Sequence, residues 1–143
     1  MNRKERALDT FSKGFNCCQA VLSVFSEELS LEKTIALKIA GGFGGGMRKG
    51  EVCGAVTGAV MVLGLKYGHC REGDVENKQK ANAVTVDFMD KFIQRHETVI
   101  CKKLLGYDIS RKSEYDEAAA SGVFTTICPR MIEDAVELLE TMV

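Results

Sequence analysis

The residues best suited to chemistry in this sequence are its six cysteines, because a thiolate is both a nucleophile and a metal ligand. They are dispersed, at positions 17, 18, 53, 70, 101 and 128. No two have the C-x-x-C spacing of a zinc finger, ferredoxin or thioredoxin, and no C-x-x-C-H haem-attachment motif is present. A shared site therefore has to be assembled by the fold from distant segments.

Four of the cysteines coincide with predicted helix starts. One helix begins at Cys17, the central helix begins at Cys53, and Cys101 lies in the first turn of a short helix. Because proline is favoured at the first helical position, Pro129 makes Cys128 the expected N-cap of the last helix. Free N–H groups and a positive partial charge at helix N-termini stabilise thiolates. We expect these four thiols to converge, with lowered pKa values, if the helix ends meet on one side of a bundle.

Apolar residues recur at helical spacing along most of the chain, and we find no convincing alternating strand. A single proline and no tryptophan also favour helices. We therefore predict an all-α, single-domain bundle (residues 1–143) of about six or seven helices. The predicted helices cover about 1–13, 17–29, a short segment after Ser30 with Leu31, Ile35 and Ile39 inward, 53–66, 75–96, 99–105, a turn near 114–120, and 129 to the C-terminus.

A glycine-rich loop precedes the central helix, and 10 of the 14 glycines lie between residues 40 and 68. It is not a phosphate loop, because Glu51 stands where lysine is required and no strand precedes it. We therefore expect no nucleotide. The glycines allow backbone N–H groups to approach sulfur. Arg48 and Lys49 add positive charge nearby, although a solvated loop explains them equally well. Gly54-x-x-x-Gly58 would let another helix pack closely against the central one.

Bulk properties exclude several classes of partner. The net charge of −1 gives no field to attract nucleic acid or an anionic membrane. The longest apolar run has 14 residues, too few to span a bilayer. The charged N-terminus has no apolar signal region. We expect a cytoplasmic protein without nucleic acid or membrane partners, and a homodimer through an apolar face stays open.

The motif Cys53-Gly54-Ala55-x-x-Gly58, with three further dispersed cysteines, resembles the C-GCAxxG-C-C family of redox-active proteins. The resemblance extends over the segments Gly14–Leu22, Gly41–Gly68, Cys101–Gly106 and Cys128-Pro129. It implies that the redox site consists of Cys17, Cys53, Cys101 and Cys128. The family also resembles a domain of split-Soret cytochromes that is associated with an iron–sulfur cluster. The same four cysteines would be its ligands, without haem.

Two cysteines are additional to this pattern. Cys18 stands where alanine is common, and Cys70 follows His69 in a loop. Either cysteine could be a resolving thiol, an alternative ligand or a tolerated substitution. His69 with Cys70 could form a ligand pair or simply be exposed.

Three functions are compatible with the sequence. In the first, the four thiolates hold an iron–sulfur cluster for electron transfer with a redox partner protein; zinc would use the same ligands but usually has paired C-x-x-C knuckles. In the second, two thiols, such as Cys17 and Cys53, cycle between dithiol and disulfide. In the third, the chain is a helical binding or structural protein whose cysteines are core residues. No serine–histidine–aspartate or paired-carboxylate site indicates another enzyme activity.

Overall fold

The computed structural model describes residues 1–143 and contains eight α-helices and no β-strand. The prediction of an all-α fold is confirmed, with one or two helices more than expected. Short 3-10 turns follow α2 and α3, and a π-type turn at Gly46–Gly50 leads toward α4. The helices are α1 (Arg3–Ser12), α2 (Cys17–Ser26), α3 (Lys33–Ile39), α4 (Gly54–Tyr67), α5 (Val75–His96), α6 (Cys101–Leu105), α7 (Lys112–Ser121) and α8 (Val123–Met142).

The core is built around α4, which is apolar on all sides and packs against α2, α5 and α8. Burial of these apolar faces is what stabilises helices that are individually short. No helix of the structure is both long and apolar enough to cross a bilayer. The largest fully buried side chains include Leu22 and Phe25 of α2, Val62 and Leu63 of α4, Phe88 and Phe92 of α5, and Ile132 and Leu139 of α8.

The long helix α5 has the predicted bounds, and Asp74 caps it by accepting the N–H of Asn77 at 3.2 Å. The inward face predicted for α3 is wrong. Ile35 and Ile39 are 49% and 52% exposed, and α3 buries Ala36 instead. The small side chain of Ala36 lies on the side of α3 that packs against α2, and the two larger isoleucines stay exposed.

The predicted start of the last helix is also wrong, because α8 begins six residues earlier, at Val123. The hydroxyls of Thr125 and Thr126 donate to the Gly122 carbonyl oxygen at 3.0 and 2.9 Å, which supports the first turn. Pro129 lies inside the helix. The packing of the added turns outweighs the loss of the hydrogen bond that Pro129 cannot donate. Residues Val123, Phe124 and Ile127 of these turns contact a second small cluster of Cys101, Leu105, Ile109 and Ala118.

Candidate redox site

Cys17, Cys53, Cys101 and Cys128 line one cavity of about 170 Å³. The cavity lies between α2, α4, α6 and α8, with the glycine-rich loop at one side. The two most enclosed thiol residues are Cys53 and Cys101, 6% and 7% exposed, whereas the other two are partly exposed. All four are free thiols. The fold thus brings together four cysteines from four separate segments. The remaining walls are mostly apolar: Phe11, Leu105, Ile109, Tyr115, Phe124 and Met131.

An antiparallel bridge brings Cys53 beside Cys101. Val52 and Ile100 pair as an isolated β-bridge. The N–H of Cys53 donates to the Val99 carbonyl oxygen at 2.8 Å, and the N–H of Cys101 donates to the Glu51 carbonyl oxygen at 2.6 Å. Each cysteine follows the paired residue and stands at the start of a helix, Cys53 as N-cap and Cys101 as first residue. The predicted placement of these two at helix starts is confirmed.

The motif glycines bring Cys17 beside Cys53. A methyl group on Gly54 would lie 3.0 Å from the Cys18 nitrogen and 3.1 Å from the Cys17 Cβ. A methyl group on Gly58 would lie 2.9 Å from the Cys18 carbonyl oxygen. Since α4 can approach α2 this closely only without side chains there, both glycines determine the distance between the two cysteine-bearing helix ends. The motif residue Ala55 is fully buried.

Asn16 fixes the orientation of the α2 start, where Cys17 is the first residue. Its side chain accepts the Gln19 N–H at 2.9 Å, and the Gln19 side chain accepts the Asn16 N–H at 2.8 Å, forming a reciprocal capping box. The Asn16 amide also donates to the carbonyl oxygens of Ala40 and Gly41 at 3.2 Å each. The cap therefore ties α2 to the glycine-rich loop.

Burial opposes ionisation of the enclosed thiols. It raises the pKa of Cys53 to about 12, although hydrogen bonds from the N–H groups of Ala55 and Val56 act in the opposite direction. It raises the pKa of Cys101 to about 11, and the charge of Cys128 adds to this while Arg48 opposes it. The expectation of lowered pKa values is wrong for these two thiols, because desolvation outweighs the helix-end N–H groups.

The thiols of Cys17 and Cys128 interact with each other. The interaction with Cys128 raises the pKa of the Cys17 thiol well above its ordinary value, and burial adds to the effect. The same interaction lowers the pKa of Cys128. The predicted position of Cys128 at a helix start is wrong, since it lies in the second turn of α8, and its lowered pKa comes mainly from Cys17.

The chemistry of the four side chains fits a thiolate-ligated metal centre, since zinc and iron–sulfur clusters both take cysteine ligands. The four thiols line one mostly apolar cavity of about 170 Å³. No group of three or more histidine, cysteine, aspartate or glutamate side chains is arranged to hold a metal ion as the structure stands.

The proposed accessory residues lie elsewhere. Cys18 is fully buried in the core, where its sulfur is 3.8 Å from the sulfur of Met61, and burial raises its pKa to about 11. Cys70 and His69 are exposed in the loop after α4. None of the three lines the cavity.

Arg48 lines the cavity, although its sequence context is explained equally well by a solvated loop. It is the one Arg, Lys, Asp or Glu side chain among the lining residues. Its position depends on a turn in which Gly45, Gly46, Met47 and Arg48 all have positive φ. No sequence pattern signals such a turn when two of its residues are not glycine. Tyr115 and Phe124 were also missed, because the segment around them has weak helical periodicity.

Residues 15–142 match a family model described as "Putative redox-active protein (C_GCAxxG_C_C)". The chain belongs to this family. The matched range of the C_GCAxxG_C_C family includes all four cavity cysteines and the motif glycines. No curated protein and no solved structure matches the chain.

Proposed function

We propose that this member of the C_GCAxxG_C_C family holds an iron–sulfur cluster through Cys17, Cys53, Cys101 and Cys128. The observation that carries the proposal is their convergence on one cavity from four distant segments. A core role for the cysteines does not require this arrangement, since Cys18 satisfies such a role by itself in the centre of the fold. When bound, the cluster supplies one-electron transfer.

The thiols, the nearby backbone N–H groups and the apolar walls would each have a different role at a bound cluster. The four thiols lose their protons on binding, since a coordinated thiolate stays deprotonated even where burial disfavours a free one. The backbone N–H groups of Ala55 and Val56 oppose the burial that raises the pKa of Cys53, and they would favour its thiolate as a ligand. The apolar walls, Phe124 and Met131 among them, limit the access of water.

The test is anaerobic reconstitution with ferrous iron and sulfide, followed by the visible spectrum and the iron and acid-labile sulfide content. We expect each Cys→Ser change at the four positions to reduce loading. Cys70→Ser and Cys18→Ala, outside the cavity, should retain it. A wild-type protein that takes up neither iron nor sulfide contradicts the proposal, as does equal loss in Cys70→Ser.

A second candidate is dithiol chemistry by Cys17 and Cys128, supported by the interaction of their thiols, which lowers the pKa of Cys128. The Cys128 thiolate would attack oxidised sulfur or peroxide. With hydrogen peroxide, two thiols yield one disulfide and two waters. The sequence suggested Cys17 with Cys53 as the pair, and this pairing is the alternative outcome of the test. Non-reducing peptide mapping after peroxide treatment should recover a Cys17–Cys128 peptide, and a scattered set of pairs argues against this candidate.

Either activity requires a redox partner protein and a reducing compartment such as the cytoplasm. Six free cysteines, one of them exposed, are compatible with such a compartment.

A further inference from the structure

Arg48 is the one permanently charged side chain that lines the four-cysteine cavity. Burial and the Cys128 charge raise the pKa of Cys101, and the Arg48 charge opposes this rise. It takes part in none of the protein's ion pairs. Glu51, the nearest acidic residue in the sequence, instead lies 4.0 Å from Lys102. Arg48 thus lies at the wall of the cavity, exposed on its other side, and no carboxylate neutralises its charge.

The backbone holds Arg48 there at a cost. Its φ is +64° and that of Met47 is +58°, both in the left-handed region that non-glycine residues rarely adopt. Strain of this kind persists only where the surroundings enforce it, and it is frequent at functional sites. The turn also makes room for the guanidinium, since a methyl group on Gly45 would lie 3.1 Å from Arg48 Nη1. The strained turn and the placement of the cation are thus one feature.

We propose that Arg48 is the counter-cation of the cavity, a positioning residue that offsets the negative charge of the four thiolates when they hold the cluster. The role of Arg48 toward a bound cluster rests on the proposed function, whereas its role toward the free thiolates does not. Four thiolates bring four negative charges into an apolar cavity, which is costly without a compensating cation. A reduced centre carries one more negative charge than the oxidised one, so a fixed cation favours reduction.

The first test needs no metal. In the reduced, metal-free protein, the alkylation rate of Cys101 is measured with anionic iodoacetate and with neutral iodoacetamide, by peptide mass spectrometry. Both reagents react with the same thiolate, so the thiolate fraction cancels when the iodoacetate rate is divided by the iodoacetamide rate. At low ionic strength we expect Arg48→Gln to lower this rate ratio about threefold or more, because the anionic reagent is no longer attracted. Arg48→Lys should restore part of the ratio, and added salt should reduce the difference between the variants.

Lys49 supplies the matched control. It is exposed in the same turn, as Arg48 is, but only Arg48 lines the cavity. Lys49→Gln removes the same charge from the surface and should leave the ratio unchanged. Equal effects of Lys49→Gln and Arg48→Gln, or no effect of Arg48→Gln, overturn the proposal.

The second test uses reconstituted protein. The midpoint potential of Arg48→Gln should be lower than that of wild type by about 59 mV, equivalent to a tenfold change in the equilibrium constant for a one-electron couple. An unchanged potential in a loaded variant overturns the counter-cation role. If wild type takes up no cluster while Arg48→Gln still lowers the alkylation ratio, the cluster proposal fails and the role of Arg48 toward the thiolates stands.

Arg48→Gly serves as a second variant without the charge. It is expected to fold, because glycine suits the positive φ at this position.

Discussion

Val52 and Ile100 form an isolated antiparallel bridge, and the residue after each of them is a cysteine of the cavity. This pair joins two segments almost fifty residues apart through a few backbone hydrogen bonds. It places the starts of α4 and α6 side by side. The bridge brings two cysteine-bearing helix starts together. The close packing of Gly54 and Gly58 of α4 against α2 does the same for Cys17 and Cys53.

Gly58→Ala should lower the free energy of unfolding by about 1–3 kcal/mol, because the new methyl group would lie 2.9 Å from a backbone oxygen of α2. Chemical denaturation measures the change. Gly64→Ala is the control in the same helix. No atom lies within 4 Å of its added methyl group, so this change should stabilise the protein by about 0.5–1 kcal/mol. Equal effects of both changes on stability would show that the α2–α4 contact is not tight.

Gly46→Ala should destabilise the protein by about 1–3 kcal/mol and reduce cluster loading. Its methyl group would meet the Glu51 backbone, whose carbonyl oxygen accepts the Cys101 N–H. Gly42→Ala in the same loop has open space and should change stability by less than about 0.5 kcal/mol. Thermal unfolding and iron content report the two effects. A Gly46→Ala protein as stable and as fully loaded as wild type contradicts the geometry of the turn.

Met47→Gly should make the protein more stable than Met47→Ala by about 1 kcal/mol. Both changes remove the same exposed side chain, and only glycine relieves the left-handed backbone at φ +58°. Urea denaturation of the two variants compares them directly. If the alanine variant is equally stable or more stable, residue 47 is not held in the left-handed region.

The metal-free, reduced protein should lose stability as the pH rises above about 8.5, the ordinary cysteine pKa. The raised pKa values of Cys53 and Cys101, about 12 and 11, mean that the native state keeps protons that the unfolded chain releases. The stabilising contribution is complete below the unfolded pKa and is lost as the pH rises toward the folded one. Each such thiol lowers the free energy of unfolding by about 1.4 kcal/mol per pH unit in this window.

Denaturation at pH 7.5, 8.5 and 9.5 tests this dependence. Cys53→Ala should flatten the slope, whereas Cys70→Ala, at an exposed thiol, should leave it unchanged. A slope that Cys53→Ala does not alter would mean that Cys53 ionises in the native state as it does in the unfolded chain.

Much of the fold was determined by the sequence alone, because its signals are local. Helical periodicity and caps such as Asp74 and Asn16 give the bounds of α5 and the start of α2. Helix starts singled out Cys17, Cys53 and Cys101 among the cysteines that line the cavity, whereas the helix start expected at Cys128 is wrong. The last helix was misplaced because the local preference of Pro129 for a helix start is weaker than the packing of Val123, Phe124 and Ile127 against α6 and its neighbours.

Only the tertiary structure decided how the four cysteines interact. Whether helix ends lower a thiol pKa depends on burial, and around Cys53 burial exceeds the effect of the N–H groups. The effect of Cys128 on the pKa of Cys17 joins residues more than a hundred positions apart, which no local pattern encodes. The same holds for Arg48, whose orientation toward the cavity depends on a left-handed turn that its own side chain disfavours. The sequence thus places the cysteines along the chain, and the packing of the helices decides which of them share one cavity and how deeply each is buried.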